Sequence, residues 1–474
     1  MILGDGHWLH IRGGYTDTYI CTKNRKVVKF CDKYYSLETS STSRTATASN
    51  KTHIHNNNHI VHYSTICDLV FSKSLEKIND FPKINRCDIY DSKVRIDMEY
   101  LGKTLHDVCH SYSIQTRWRL MPKFIEQIAL QSFNLLYNGI QHTDIKPGNI
   151  LLDDQHNFHL IDFNCMSTAY IDHTQTRKWC DAIGTYHYLA PEILFSGKPH
   201  DSSMVWSIGM VGLHWLLGHY PISEERMIKY ISHPPSTHSQ WKKIMYELRK
   251  KYPASMQLEK KYLETLEGWW TRLQPMLKWN PYKRWSLTTV LQAFHIHSLP
   301  RDIRVKNILY TADASHQDIY FRRTVIEKAS QFLKIIQMEY LLSSSVILYD
   351  KCYPYFTSMD LDLLYLCCWA IQGYLTNRFL FDDDNTVFTI HQMYNITCDK
   401  IIAELYTVGM SIQFDAWQKE WYTIVSDMYP NVVWNIDWNI MKTILINKTS
   451  SYNAMTLAND YTTFLEFKEL DKVK

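Results

Sequence analysis

The sequence predicts an α+β fold: a mixed unit running to about residue 298, then an all-α unit. Three observations carry this. Residues 8–35 and 89–100 alternate apolar and polar side chains, as strands do. From Thr116 the apolar spacing becomes helical and stays so. Around Leu299–Ala314 the periodicity fades, and beyond it Val325, Ala329, Phe332, Leu333 and Ile336 fall on one helical face.

Taken in order, residues 8–35 read as short strands around a turn at Lys23–Lys26. Residues 36–59 are almost wholly Ser, Thr, Asn, His and Ala; they cannot bury a core and read as an exposed loop. Ile60–Asn79 has helical spacing through Ile66, Leu69, Val70, Leu75 and Ile78. Ile89–Tyr100 reads as two strands, and Asp153–Phe158 as a hairpin-like interruption of the helical stretch. From Ile319 to Phe414 successive helices follow with short connections, among them an acidic turn at Asp382–Asn385. Residues 415–474, rich in Trp and Tyr, read as further helix, and no repeat of fixed period is present.

Composition narrows the function. Of 474 residues, 45% are hydrophobic and 21% charged, a globular balance. The net charge of +3 gives no argument for nucleic acid or a membrane surface. Eleven cysteines without a C-x-x-C pair imply free thiols and a reducing compartment. Met1–His10 has no basic segment followed by an apolar one, so no signal peptide is expected. The most apolar run, Leu361–Leu375, is broken by Asp362, Gln372 and Gly373 and falls short of the ~18 residues a membrane span needs.

Four stretches carry chemistry, in one order: His142-Thr-Asp-Ile-Lys-Pro-Gly-Asn149, Asp162-Phe163-Asn164, Gly184-Thr-Tyr-His-Tyr-Leu-Ala-Pro-Glu192, and Asn280-Pro-Tyr-Lys-Arg284. They resemble stretches of the eukaryotic protein kinases, whose phosphoryl transfer needs a carboxylate near the attacking hydroxyl, a role that Asp144 fits. Asn149, five residues on, and Asp162 offer hard oxygens suited to Mg2+. Lys146 can neutralise the migrating phosphoryl group.

Together these stretches resemble the eukaryotic protein kinase family over residues 8–298. The resemblance implies a two-lobed fold, with an N-lobe over 8–101 and a C-lobe over 102–298, and ATP and Mg2+ as cofactors. It implies catalytic roles for Asp144 and Lys146, with serine/threonine specificity carried by the lysine, and metal binding by Asn149 and Asp162. Val27-Val28-Lys29-Phe30 resembles the strand whose lysine holds the α- and β-phosphates, so Lys29 takes that role. Gly13 and Gly14 open a glycine loop that ends at Ile20; Tyr15 and Thr18 stand where the family has glycines. Met98-Glu99-Tyr100-Leu101-Gly102 resembles the adenine hinge, with Glu99 and Leu101 offering backbone groups and Met98 as gatekeeper. The acid that pairs with Lys29 is either Asp68 or Glu76. Glu192 and Arg284 resemble the family's buried structural ion pair.

Three residues depart from the pattern. Asn164 replaces a glycine and restricts the flip of its segment. Thr143 replaces the arginine that receives an activation-loop phosphate, so no such phosphate is needed. Met204 replaces the aspartate that tethers the catalytic loop.

After a linker at 299–318, residues 319–445 resemble a cyclin box, followed by a C-terminal tail at 446–474. Arg322-Arg323 opens its first helix, Leu361–Leu375 forms its central one, and Glu404 matches a kinase-facing glutamate. The central lysine is absent, with Gly373 near its place. A kinase and cyclin-like module in one chain resembles large DNA virus proteins. The expected function is a serine/threonine protein kinase, regulated in cis by the helical domain. The alternative is a pseudokinase scaffold that recruits partners. Expected partners are protein substrates and a cyclin-type contact with its own or another kinase, with no nucleic acid and no membrane. The expected location is the cytoplasm or nucleus of a host cell.

Overall fold

The computed structural model describes residues 8–12, 16–36, 59–78, 81–172, 174, 176–218, 260–294, 306–376, 380–429 and 435–470. The loop expected at 36–59 lies almost entirely outside them. The N-lobe begins with β1 (Leu9–Arg12), β2 (Thr16–Cys21) and β3 (Lys26–Asp32), followed by a small ladder of β4 (Tyr34–Ser36) and β5 (His59–Val61). Helix α1 (Tyr63–Leu75) then leads to β6 (Ile84–Ile89) and β7 (Lys93–Glu99). The sheet is antiparallel in the order β1-β2-β3-β7-β6, with Lys29 opposite Thr18 on one side and Ile96 on the other.

The C-lobe runs through β8 (Lys103–Thr104), α2 (Leu105–Cys109), α3 (Ile114–Tyr137), β9 (Ile140–His142), β10 (Ile150–Leu152) and β11 (Phe158–Leu160). It continues with β12 (Met166–Ile171), β13 (Arg177–Trp179), α4 (Pro191–Ser196), α5 (Ser203–Leu217), α6 (Lys260–Leu273) and α7 (Leu287–Phe294). The Ser113 hydroxyl accepts from the Thr116 N–H and caps α3. Helix α5 is buried throughout its length, and the Trp215 indole donates to the Arg117 carbonyl of α3 at 3.0 Å. Beside the expected hairpin, the reading of unbroken helix after Thr116 fails at β9, β12 and β13. Strands β9 and β13 have three residues each, and β9 and most of β12 are buried on both faces, so no alternation marks them.

A strap with β14 (Ala312–Asp313) leads to the helical unit: α8 (Ile319–Ile335), α9 (Leu342–Cys352), α10 (Leu361–Thr376), α11 (Asp384–Tyr394), α12 (Cys398–Ser411), α13 (Trp421–Met428) and α14 (Trp438–Ile446). Strand β15 (Ser451–Tyr452) pairs with β14, and α15 (Ala454–Leu470) follows. Residues 446–474, expected as a tail, thus include a helix whose Tyr461 ring lies 4.7 Å from Trp421. The acidic turn at 382–385 starts α11, with Asp383 capping the Thr386 N–H. Arg322, Asp350 and Tyr452 form a buried network joining α8, α9 and β15. No helix among the described residues is long and apolar enough to cross a membrane.

The helical unit packs against the N-lobe along α1. Eleven of the thirteen residues of α1 are buried, so it lacks a solvated face. The Trp417 ring sits 5.5 Å from Phe71, and the Trp417 N–H donates to Ser74 Oγ. Asp415 bridges Lys77, just past α1, and Lys351 of α9 at 2.9 and 2.8 Å. The Tyr406 hydroxyl of α12 donates to the Lys33 carbonyl at 3.0 Å. The side chain of the expected kinase-facing Glu404 makes no hydrogen bond or ion pair among the described residues; Tyr406, two positions on, faces the N-lobe instead. At Gly373 a Cβ would lie 2.7 Å from a Leu380 methyl, so any side chain there requires Leu380 to shift.

Candidate active site

Two clusters of charge face each other where the lobes meet. The first is centred on Lys29. Its ammonium donates to Asp68 Oδ2 at 2.9 Å and to Asp162 Oδ1 at 3.3 Å. Burial opposes this charge, but the adjacent Asp68 and Asp162 carboxylates outweigh it and hold the ammonium well above its ordinary pKa. The acid partner is therefore Asp68 and not Glu76. Glu76 is spent at the end of α1, where it accepts from the Ile84 N–H at 2.6 Å and pairs with Lys73. The second oxygen of Asp68 accepts, at the limit of hydrogen bonding, from Ser72 and from the Phe163 N–H. It thereby ties α1 to the segment after Asp162.

The second cluster is centred on Asp144. Its Oδ2 accepts from Lys146 Nζ at 2.6 Å and from Asn149 Nδ2 at 3.1 Å, and its Oδ1 from the Thr185 N–H at 2.8 Å. Lys146 also donates to Thr185 Oγ1 at 3.1 Å. Burial would raise the Asp144 pKa; Lys146 and Thr185 outweigh it and hold the carboxyl below its usual value, ionised at neutral pH. Asn149 spends its amide nitrogen on Asp144, and its oxygen is the atom that can ligate a hard cation. The Ile161 N–H donates to the Asn149 carbonyl at 3.0 Å, which draws the strand before Asp162 alongside.

His142 sets the loop between the clusters. Its Nε2 lies 3.1 Å from the Ile161 carbonyl, which can only accept, and its Nδ1 accepts from the Asp144 N–H. That pattern requires a neutral ring protonated on Nε2, and burial lowers the His142 pKa accordingly. Met204 is buried and apolar where the family tether would stand. Asn164 does not use the left-handed freedom of the glycine it replaces; Asp162 itself takes the positive φ, at 70°. Phe163 is buried between the rings of Phe81 and His142.

Gly13 and Gly14 lie outside the described residues. Ile20 is half-buried on β2, opposite Val27. Both main-chain groups of Tyr100 are taken by Arg25, its N–H by the Arg25 carbonyl and its carbonyl by the guanidinium. Glu99 and Leu101 lie on either side of Tyr100, and Arg25 takes neither of their main-chain groups. Arg284 is bidentate to Glu192 at 2.6 and 2.9 Å, and Ser203 also donates to Glu192. Thr185, His142 and Ser203 also shape the site, in ways that spacing along the chain does not reveal. Thr185 sits inside a recognised stretch, and only its contacts with Asp144 and Lys146 single it out.

A buried lysine held by two carboxylates, facing an Asp–Lys–Asn loop at the cleft of a sheet lobe and a helical lobe, defines a site of the protein kinase type. The protein kinase domain model matches residues 12–296, and the chain belongs to that family. It is similar to the MAP kinase kinase MKK1/SSP32 of Saccharomyces cerevisiae, 32% identical over 150 residues, or 31% of this chain and 28% of that protein. It is similar also to the serine/threonine-protein kinase PrkC of Bacillus subtilis (29% over 171 residues; 33% and 25%). Calcium-dependent protein kinase 27 of Arabidopsis thaliana is 31% identical over 149 residues (29% and 29%). The matched stretch spans under a third of each of these relatives.

Proposed function

We propose that this chain is a serine/threonine protein kinase that transfers the γ-phosphoryl group of ATP to protein hydroxyls with Mg2+. The observation that carries the reading is the Lys29–Asp68–Asp162 cluster facing Asp144, Lys146 and Asn149. Asp144 positions the acceptor hydroxyl and takes its proton; Lys146 neutralises charge on the moving phosphoryl group. Lys29 holds the α- and β-phosphates, and Asp162 and Asn149 offer the hard oxygens that suit Mg2+, which neutralises the phosphate charge when bound. Gly13, Gly14 and Ile20 cover the nucleotide, and Glu99 and Leu101 meet the adenine edge through the backbone.

The residues 319–445 act as a cyclin-box-like regulator in cis. The support is the packing of Trp417 on α1, the helix that carries Asp68, with Asp415 on Lys77 just past its end and Tyr406 on the Lys33 carbonyl of the N-lobe. Being in one chain, the helical unit docks at high effective concentration. Its connection, 299–318, is the proposed boundary between the two units. The test is labelled phosphate transfer from ATP to a generic basic protein. Asp162→Asn, nearly isosteric, should abolish transfer while circular dichroism stays near wild type; melting should fall modestly, because Lys29 keeps Asp68 but loses its second carboxylate. Undiminished transfer would remove the metal role from Asp162.

A further inference from the structure

Residues 166–189 join the metal aspartate to the loop that holds Thr185 against Asp144. They need to be held in one place for the site to work, and Thr143 offers no guanidinium to hold a phosphate on them. Three observations indicate what holds them. The Thr143 hydroxyl lies between the carbonyls of Cys165 and Ile183, 2.6 Å from the latter, within reach of either. Gly184 presses so close that a Cβ there would lie 2.3 Å from the Thr143 carbonyl. The two ends of the segment are thus pinned to the residue that precedes Asp144.

The middle of the segment is held from the helical unit. The last turn of a helix leaves carbonyls without intrahelical partners. In α10 the Leu375 carbonyl accepts from Thr168 Oγ1 of β12 at 2.9 Å, and the preceding Tyr374 carbonyl faces Cys67 of α1. The Tyr422 hydroxyl of α13 donates to the Ala169 carbonyl at 3.3 Å, and Tyr170 packs on Tyr340. Thr168 is fully buried, out of reach of a modifying enzyme.

The hairpin that follows is closed by a carboxylate. Asp172 Oδ1 accepts from the N–H and the hydroxyl of both Thr174 and Thr176, and Asp172 also pairs with Lys178. Lys198 pairs with Asp181. A phosphate on Thr174 or Thr176 would bring about −2 of charge against the Asp172 carboxylate and displace these bonds.

We propose that the Thr143 hydroxyl and the α10–α13 face of the helical unit together do the work of an activation-segment phosphate, so that the segment is set as the chain folds. This rests on the kinase reading above and names how that site is regulated. Thr143, Thr168 and Tyr422 act as positioning residues.

The test uses the full chain. Phosphatase treatment should leave transfer unchanged. The double variant Thr168→Val, Tyr422→Phe keeps shape but removes both donors. Its kcat should fall about tenfold, because two hydrogen bonds that hold the segment are lost, with KM for ATP unchanged. Hydrogen exchange at 166–171 should accelerate, in the double variant and, to a lesser degree, in Tyr422→Phe alone. Loss of transfer after phosphatase treatment, or full kcat and protection in the double variant, would overturn the proposal. If the wild-type chain transfers no phosphate at all, the kinase reading fails, and exchange at 166–171 still decides whether the helical unit holds the segment.

Discussion

Asp68 is one methylene shorter than the glutamate that the family resemblance leads one to expect, and two replacements test why it serves. Lys29 and Asp68 have side chains only 13% and 5% exposed. Removing one partner of such a buried pair costs about 3–5 kcal/mol. Asp162, 3.3 Å from the same ammonium, offsets part of that, so Asp68→Asn should lose about 2–3 kcal/mol, or roughly 5 °C in melting temperature. It should also lose 10²–10³-fold in transfer rate, the usual cost of removing one preorganised charge contact. The opposite change, Asp68→Glu, restores the longer acid. With α1 buried against the sheet on one side and Trp417 on the other, the extra methylene has no room, and overpacking costs about 1–3 kcal/mol. Both variants should therefore melt lower and work more slowly than wild type, read by scanning calorimetry and by steady-state transfer with ATP varied. If Asp68→Glu equals wild type in both, the helical unit does not fix the depth of α1. If Asp68→Asn keeps full activity, the ion pair is not part of the machinery.

Trp417→Ala should destabilise the chain by about 3–5 kcal/mol and lower transfer, because it empties the contact with Phe71 from the helical side without touching the cleft; unchanged kcat in a folded variant would separate the helical unit from catalysis. Burial pushes the Glu420 carboxyl from 4.5 up to about 8, beside Ser344. Between those values the unfolded chain is ionised and the folded one is not, so stability should fall as pH rises from 4.5 to about 8 and level off above. Glu420→Gln should flatten that slope and melt higher than wild type at pH 8; a parallel pH profile in the two proteins would contradict the assignment.

The cleft was legible in the sequence because its chemistry is local. Asp144, Lys146 and Asn149 lie within six residues, and their spacing alone brings them together on one loop. Lys29 needed the strand pattern around it, and β3 carries it as expected. The choice between Asp68 and Glu76 was not legible: Asp68 lies in the middle of the helical stretch and Glu76 at the end of α1, and only its packing decides which reaches Lys29. The short strands escaped because β9 and most of β12 are buried on both faces and β13 has only three residues, so none shows alternation. The helical unit's working face was misread at Glu404, since a charged residue on a helix gives no sign of which neighbour the helix will meet; the contact is made by Tyr406, whose apolar ring is buried and whose hydroxyl reaches the Lys33 carbonyl. Thr143 read as the loss of an arginine, and its hydroxyl proved to sit between two carbonyls far apart in sequence.

The account turns on transfer of phosphate by a cleft held ready by its own chain. The direct measurement is incubation of the full chain with γ-labelled ATP, Mg2+ and a generic basic protein, followed by phosphoamino-acid analysis of the product. The account predicts label on serine and threonine, none on tyrosine, and loss of label in Asp144→Asn. Nucleotide binding without any transfer by the wild-type chain, or label that persists undiminished in Asp144→Asn, would contradict it.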